Sequence, residues 1–365
     1  MRIGVPRERK DGERRVGLVP DGVAELARAG HDVAVEQGAG ERAGFSDAAY
    51  AAAGAEIVRN GATVYQCELI VKVKEPQRDE LELLVPGTTL CGFAQFGRDR
   101  AWLSAALAAR IGYIAYETVA DADGALPLLA PMSRIAGALA PLIAANLLTS
   151  DRGGSGVLLP AIADAAPATV VVLGAGNVGA NAAVVAARLG CHVIVFARGE
   201  RRLQALRGQG YDNLVAARCE PTLLSAALAE ADVVIGAVLE PGALSPKLIS
   251  RAQLRAMREG SVLVDVGIDQ GGIAETSRMT SLSDPTYVEE GVVHYCVPNM
   301  PALVARTATL ALTRATLPYV LALAGQGVSR AMAMDPGLRA GLQVRAGRVT
   351  HRLLAADTDC EVDAQ

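Results

Sequence analysis

TVVVLGAGNVGANAAVVAARLGCHVIVFARGERR, from Thr169 to Arg202, is the segment from which the architecture of the chain can be worked out. The apolar and β-branched residues Thr169 to Leu173 read as a buried strand. Gly174-Ala175-Gly176-Asn177-Val178-Gly179 follows at once, and Asn177 to Leu189 is an Ala/Val-rich helix that Gly190 ends. His192 to Phe196 is a second buried strand. Within this strand–turn–helix–strand unit, Gly174 allows the tight turn and Gly176 lets backbone approach a pyrophosphate. Gly179 permits close packing of helix on strand. The helix start at Asn177 and Val178 offers free N–H groups and a positive dipole end to the phosphates. A lone GxGxxG also describes plain turns. Here both strands and the helix accompany it, which points to a dinucleotide site.

At 365 residues the chain has room for two domains of ordinary size. A hydrophobic content of 51% allows sizeable cores, but only 4% is aromatic, so alanine, valine and leucine must fill them. No apolar run reaches the roughly 20 residues a membrane span needs. The start, MRIGVPRERKDGERR, lacks the apolar stretch of a signal peptide. A net charge of −4 with mixed signs leaves no basic footprint for nucleic acid. Cysteines 67, 91, 191, 219, 296 and 360 show no CxxC or zinc spacing and read as reduced core residues, with no metal site. Composition therefore points to a soluble, cytoplasmic α/β protein with neither membrane nor nucleic acid as partner. It says nothing of chemistry.

Strand patterns recur on both sides of the opening segment. Before it come Arg2 to Val5, Asp32 to Glu36, Leu69 to Val73, Thr88 to Phe93 and Gly112 to Tyr116, with helical patterns at Asp21 to Ala29 and Ala48 to Ala53. After it come Asp232 to Val238, Ser261 to Val266 and Val292 to Val297. Strands separated by helices indicate βαβ units and parallel sheets. A long Ala/Leu/Ile helix, Leu129 to Leu148, bridges the two sets, and Thr307 to Ala324 is an apolar helix that Pro318 should kink or break. Too few strands remain beyond it for a third domain. The expectation is an α/β protein of two Rossmann-like, doubly wound parallel-sheet domains with a cleft between them. Residues 1–128 and 306–365 form the substrate domain, and 129–305 form the NAD(P)-binding domain.

In open parallel sheets, ligands bind outside the carboxyl ends of the strands. Lys74 closes the strand IVKVK, Asp269 follows SVLVDV, Asn299 follows VVHYCV, and Arg15 lies in the loop after the first strand. An arginine can grip a carboxylate in bidentate fashion. A lysine can polarise a carbonyl or imine, and an aspartate can take or give protons. Each residue also has a plainer reading. Lys74 and Arg15 read equally as solvated loop charges, Asp269 as a helix cap and Asn299 as a turn former.

Taken together, IGVPRERKDGERRVGLVPDGVAEL, VEQGAGERAGFSD, IVKVKEP, AYETVADADGALPLLAPMS, VIGAVLEPGA, VDVGIDQGG, YCVPNMPA and TLALTRATLPYVL resemble the alanine dehydrogenase family over most of the chain. The nucleotide-binding subunit of proton-pumping transhydrogenases and saccharopine dehydrogenase are more distant relatives. The resemblance implies a homohexamer that carries out reversible NAD-linked oxidative deamination of L-alanine to pyruvate and ammonia, and the expected assembly is a homo-oligomer, dimer or hexamer. It implies that Arg15 holds the substrate carboxylate, Lys74 the keto oxygen or amine, and Asp269 an acid/base position near the reacting carbon. It further implies that Ser133, Asp269, Asn299 and Met300 line the nicotinamide end, with Val238, Leu239 and Ile268 also against the cofactor.

The chain departs from that family at two places. Where the family carries a proton-carrying histidine in a phrase like FxxLHLA, the matching phrase is CGFAQFG and the position is Gln95. Glutamine can hydrogen-bond a substrate but has no titratable proton near neutrality. The four histidines, His31, His192, His294 and His351, lie elsewhere, and Arg134 stands where the family usually has an acidic residue. The second departure follows the strand VIVF. An acidic residue expected about 20 residues into the motif would bind the adenine ribose hydroxyls, but Ala197 occupies the slot, with Arg198, Arg201 and Arg202 around it. That pattern points to NADP(H) in preference to NAD(H).

The expected function is a nicotinamide-dependent oxidoreductase acting at the C–N bond of an amino acid, a 2-oxo acid or its imine. Lys74, Asp269 and Gln95 are the candidate catalytic residues. Arg15, Lys74 and Asn299 are the candidates for substrate binding. The rival reading is an NADP(H)-binding protein that has lost catalysis and senses the cofactor or partners another enzyme. Retention of Arg15, Lys74 and Asp269 favours the enzyme, since a pure binder has no need of them.

Overall fold

Along Thr169–Leu173 successive side chains enter different cores: Val170 and Val172 join one apolar cluster, Val171 and Leu173 another. A parallel strand buried on both faces reads as a continuous apolar run, because helices cover both sides of its sheet. Its neighbours alternate in the same way, with Ile235 and Val264 on one face and Val234 and Leu263 on the other. The computed structural model describes residues 1–94, 99–238, 244–352, 354 and 355. The chain divides into two units, Met1–Met132 with Ala302–Gln365, and Ser133–Pro301.

The first unit begins with β1 (Arg2–Val5), β2 (Asp32–Glu36), β3 (Glu56–Val58), β4 (Leu69–Lys74), β5 (Thr89–Phe93) and β6 (Gly112–Ala115), all parallel. The second holds β7 (Thr169–Leu173), β8 (His192–Ala197), β9 (Leu214–Arg218), β10 (Val233–Gly236), β11 (Val262–Asp265), β12 (Thr286–Glu289) and β13 (Val292–Tyr295). Their sheet order is β12-β13-β11-β10-β7-β8-β9. The chain then returns to the first unit as β14 (Leu342–Arg345) and β15 (Arg348–Val349), completing the order β15-β14-β6-β5-β4-β1-β2-β3.

Both orders reverse direction once, between β1 and β4 in the first sheet and between β7 and β10 in the second. At such a reversal the connections leave on opposite faces, which opens a crevice at the carboxyl ends of the two central strands.

The sheets are mixed at their margins. β12 runs antiparallel to β13, and β14 runs antiparallel to both β6 and β15. Glu290-Gly291 and Ala346-Gly347 make the two hairpin turns, with all four residues at positive φ. Two-residue hairpins demand that geometry. The helix Ala305–Gln326 runs through Pro318, so of the kink or break expected there the break does not occur. Its buried side continues across the proline as Leu312, Thr313, Thr316, Val320 and Leu323, and this packing offsets the lost hydrogen bond.

Candidate active site

In the second unit the glycine turn is built as three separate requirements. Gly174 has φ +108°, and a Cβ there would lie 2.4 Å from the carbonyl of Ala237, where β10 ends. A Cβ on Gly179 would lie 1.9 Å from the Gly174 carbonyl, so helix Asn177–Arg188 can seat only with glycine at that position. Gly176 differs from both. A Cβ there would meet only Arg202 Nη1, at 3.6 Å, so the space above its backbone is open to a ligand. Gly176 is also the N-cap and its helix has no side-chain cap, which leaves the amides of the first turn to an anion. These residues fit a dinucleotide.

Other elements converge on that turn. A Cβ on Gly137 would lie 2.2 Å from the Val178 carbonyl, so helix Ala130–Leu147 packs backbone to backbone against the start of the glycine helix. Ser133 stands one turn earlier on the same helix face. Ala197 closes β8 half-buried, and Arg198, Arg201 and Arg202 that follow it are exposed. Glu200 is paired with Arg207 at 2.7 Å, so its carboxylate is committed along its own helix. Val238 follows β10, and its carbonyl accepts the Ser245 hydroxyl at 3.2 Å.

Past β11, Ile268 is buried and Asp269 partly buried in the short turn Ile268–Gln270, whose N-cap is Gly267. Asp269 therefore caps no helix. Asn299 takes φ +62°, the left-handed geometry that asparagine tolerates in a turn, and Met300 beside it is buried. All these segments follow parallel strands of one sheet, so they share one edge. Asp265, at the end of β11, was not singled out from sequence. Its Oδ2 accepts from Ser277 Oγ at 2.6 Å and from the Ile273 amide at 2.8 Å, tying down the loop that carries Asp269. Burial raises its pKa.

In the first unit, the loop after β1 is pressed onto β4: a Cβ on Gly17 would lie 2.4 Å from the Val71 carbonyl. This places Arg15 beside the β1/β4 reversal. Arg15 is 2% exposed, which removes its reading as a solvated loop charge. Its Nη2 and Nε meet Glu13 at 2.6 and 2.7 Å, and Nη1 meets Met132 Sδ at 3.1 Å. Lys74 ends β4 with its ammonium 5.8 Å from the centre of the Phe93 ring. The amides of Val73 and Lys74 donate to the Glu8 carboxylate at 2.7 and 3.4 Å, which fixes the end of the strand.

Sequence reasoning passed over Glu8, Glu13 and Lys72. Lys72 is 1% exposed and bridges Glu8 at 3.5 Å and Glu80 at 3.1 Å. A lysine inside an otherwise apolar strand was the available signal. Burial pushes the Glu8 carboxyl up to about 7, against the opposing pull of Lys72. Gln95 and Leu239 lie outside the described residues.

Family models cover the chain almost end to end. "Alanine dehydrogenase/PNT, N-terminal domain" matches residues 4–136, and "Alanine dehydrogenase/PNT, C-terminal domain" matches residues 140–352. The chain is 48% identical to an alanine dehydrogenase of Halomonas elongata over 356 residues, covering 97% of this chain and 96% of that one. It is 44% identical to an alanine dehydrogenase of Mycobacterium tuberculosis, covering 98% and 96%. A solved L-alanine dehydrogenase superposes with a TM-score of 0.95 at 42% identity, covering 98% and 99%. With the glycine turn at one sheet reversal and Arg15 and Lys74 at the other, the chain is a nicotinamide-linked amino-acid dehydrogenase and belongs to the alanine dehydrogenase family.

Proposed function

We propose that the enzyme interconverts an amino acid and its 2-oxo acid or imine with NADP(H), the first unit holding the substrate and the second the cofactor. The observation that carries this reading is the pairing of reversals: a buried arginine with a lysine at one, an open glycine turn at the other. Arg15 orients the substrate carboxylate and Lys74 polarises the carbonyl or imine, while Asp269 serves as an acid/base group near the reacting carbon. The nicotinamide, when bound, supplies or accepts the hydride. Ser133, Asn299 and Met300 line its end of the site. We place the enzyme in the cytoplasm as a homo-oligomer, dimer or hexamer.

Two residues set the details. Ala197 leaves the ribose slot without a carboxylate, and the Arg202 guanidinium beside Gly176 supports a 2′-phosphate. Gln95 carries no titratable proton, so direct amination of pyruvate by ammonia is expected to be slower, by about 10²–10⁴, than with a histidine there. A preformed imine or a larger amino acid, for which hydrogen bonding at that position suffices, is the better substrate.

The test follows cofactor absorbance with a panel of 2-oxo acids against ammonia and primary amines, in the wild type and in Gln95→His, Lys74→Met and Asp269→Asn. Lys74→Met and Asp269→Asn should lose most turnover and keep cofactor binding. Gln95→His should accelerate pyruvate amination. Cofactor oxidation with none of the pairs would overturn the reading. Brisk wild-type amination of pyruvate that Gln95→His does not improve would overturn the role given to Gln95.

A further inference from the structure

The reaction moves protons as well as a hydride, and position 95 has none to give. Glu117 lies in the turn Tyr116–Thr118 directly after β6, at the same sheet edge as Lys74 on β4 and Phe93 on β5. Its Oε1 accepts the amide of Ala94 at 2.9 Å, and Ala94 immediately precedes Gln95. Its Oε2 is buried and has no hydrogen-bond partner among the described residues. Buried carboxylate oxygens are ordinarily satisfied, so an orphan at the mouth of a substrate site is an acceptor kept for something else.

We infer that Glu117 is the proton carrier of the substrate half-site, acting where the family's histidine is absent. The inference rests on the function proposed above. As the C–N bond forms, a proton leaves the attacking nitrogen for Oε2. That proton passes to the substrate oxygen to give the neutral carbinolamine. A second proton, taken up by Glu117 from solvent, joins the hydroxyl as the C–O bond breaks and water departs, which leaves the iminium for reduction by the cofactor's hydride. Glu117 ends as it began.

The surroundings keep this carboxyl usable. Burial raises its pKa to about 7, opposed by its own amide, the Ala94 amide and the charge of Lys74, with Glu75 reinforcing the rise. The titratable and charged neighbours that bear on it are thus Lys74 and Glu75 from the end of β4, with Tyr113 of β6 also within its electrostatic reach. A group balanced near neutrality exchanges protons in both directions at little cost.

The experiment compares the wild type with Glu117→Gln, which keeps the side-chain shape and an acceptor for Ala94. The readouts are the kcat/KM pH profile on the best oxo-acid and amine pair, NADPH affinity, thermal unfolding, and infrared titration of carboxyl bands in the substrate-free protein. Glu117→Gln should lower kcat/KM by about 10²–10⁴-fold, with NADPH affinity and Tm unchanged. The limb near neutrality should vanish, together with one carboxyl band titrating in the same range. The limb should persist in Glu8→Gln, whose carboxyl titrates nearby but is bonded to the β4 backbone.

If Glu117→Gln fails to fold, Glu117→Asp should keep the limb while losing at least about tenfold in rate, because its carboxyl is drawn back by one methylene. Retention of more than about a third of the wild-type rate by the folded variant, or a limb that stays, overturns the inference. A wild type that turns over no oxo-acid and amine pair overturns the proposed function, and the inference with it.

Discussion

Glu13 and Arg15 form a sealed pair, with Arg15 Nη2 2.6 Å from Glu13 Oε2 and the side chains 1% and 0% exposed. The arginine proposed to meet the substrate carboxylate is therefore already held and neutralised on one edge by the protein. Removing one member of such a pair leaves a buried charge uncompensated, at about 3–5 kcal/mol. Arg15→Met and Glu13→Ala should each lose about that much, while the double variant should lose clearly less than their sum. Denaturant unfolding of the four proteins closes the cycle. Additive losses would show the two charges to be independent.

The glycine turn predicts opposite outcomes at two neighbouring positions. A methyl on Gly179 would stand 1.9 Å from the Gly174 carbonyl. Gly179→Ala should therefore destabilise the protein by about 1–3 kcal/mol or more through forced backbone shifts. Gly176→Ala meets only Arg202 at 3.6 Å, so its Tm should stay close to wild type while nucleotide affinity falls at least about tenfold. Calorimetric titration of nucleotide beside thermal unfolding separates the two. Undiminished nucleotide affinity in Gly176→Ala would place the phosphates elsewhere.

The proposed preference for NADP(H) is tested at the end of β8. In Ala197→Asp a carboxylate would accept the free ribose hydroxyls and repel a 2′-phosphate. The variant should favour NADH over NADPH, and Arg202→Ala alone should weaken NADPH by about tenfold to a hundredfold, the worth of one charge-assisted contact. Fluorescence titration with both cofactors measures each shift. NADPH affinity that ignores both changes would remove Ala197 and Arg202 from the ribose site.

Glu8 makes stability depend on pH. Its carboxyl, held up at about 7 by burial against an ordinary 4.5, binds more protons folded than unfolded between those values. Stability therefore falls as pH rises through that window. Glu8→Gln has nothing to ionise, so relative to wild type it should gain up to about 3 kcal/mol between about pH 5 and about pH 8. Glu117 titrates in both proteins and cancels from the difference. A difference that stays flat with pH would mean that Glu8 ionises normally.

The glycine turn is legible in the sequence because its constraints are local. Gly174, Gly176 and Gly179 obey backbone sterics within a few residues, and a strand buried on both faces announces itself as an apolar run. The candidate substrate site around Arg15 and Lys74 is not local. Glu8 holds the amide of Val73, 65 residues away, and Lys72 is neutralised by Glu8 and Glu80. No spacing rule reveals such partners, so strand-end position makes Arg15 and Lys74 no more than candidates until the family resemblance is added, and Glu117 does not stand out at all. The strands β3, β9, β12, β14 and β15 escape pattern reading because they are short or lie at or next to a sheet edge. The turns Glu290-Gly291 and Ala346-Gly347 lack the asparagine or aspartate that usually marks a two-residue hairpin.

The antiparallel pairing of β14 with β6 has a consequence for biosynthesis. The first six strands leave the ribosome early, yet the outer edge of β6 finds its partner only after residues 342–349 emerge. Until then an apolar strand offers unpaired amides and carbonyls to any passing strand, the template on which sheets aggregate. The Ser133–Pro301 unit, whose strands are contiguous in the chain, can close its own sheet during that wait. A chain emerging in this order can close the Ser133–Pro301 sheet first and completes the other sheet last, with a hairpin of a few residues.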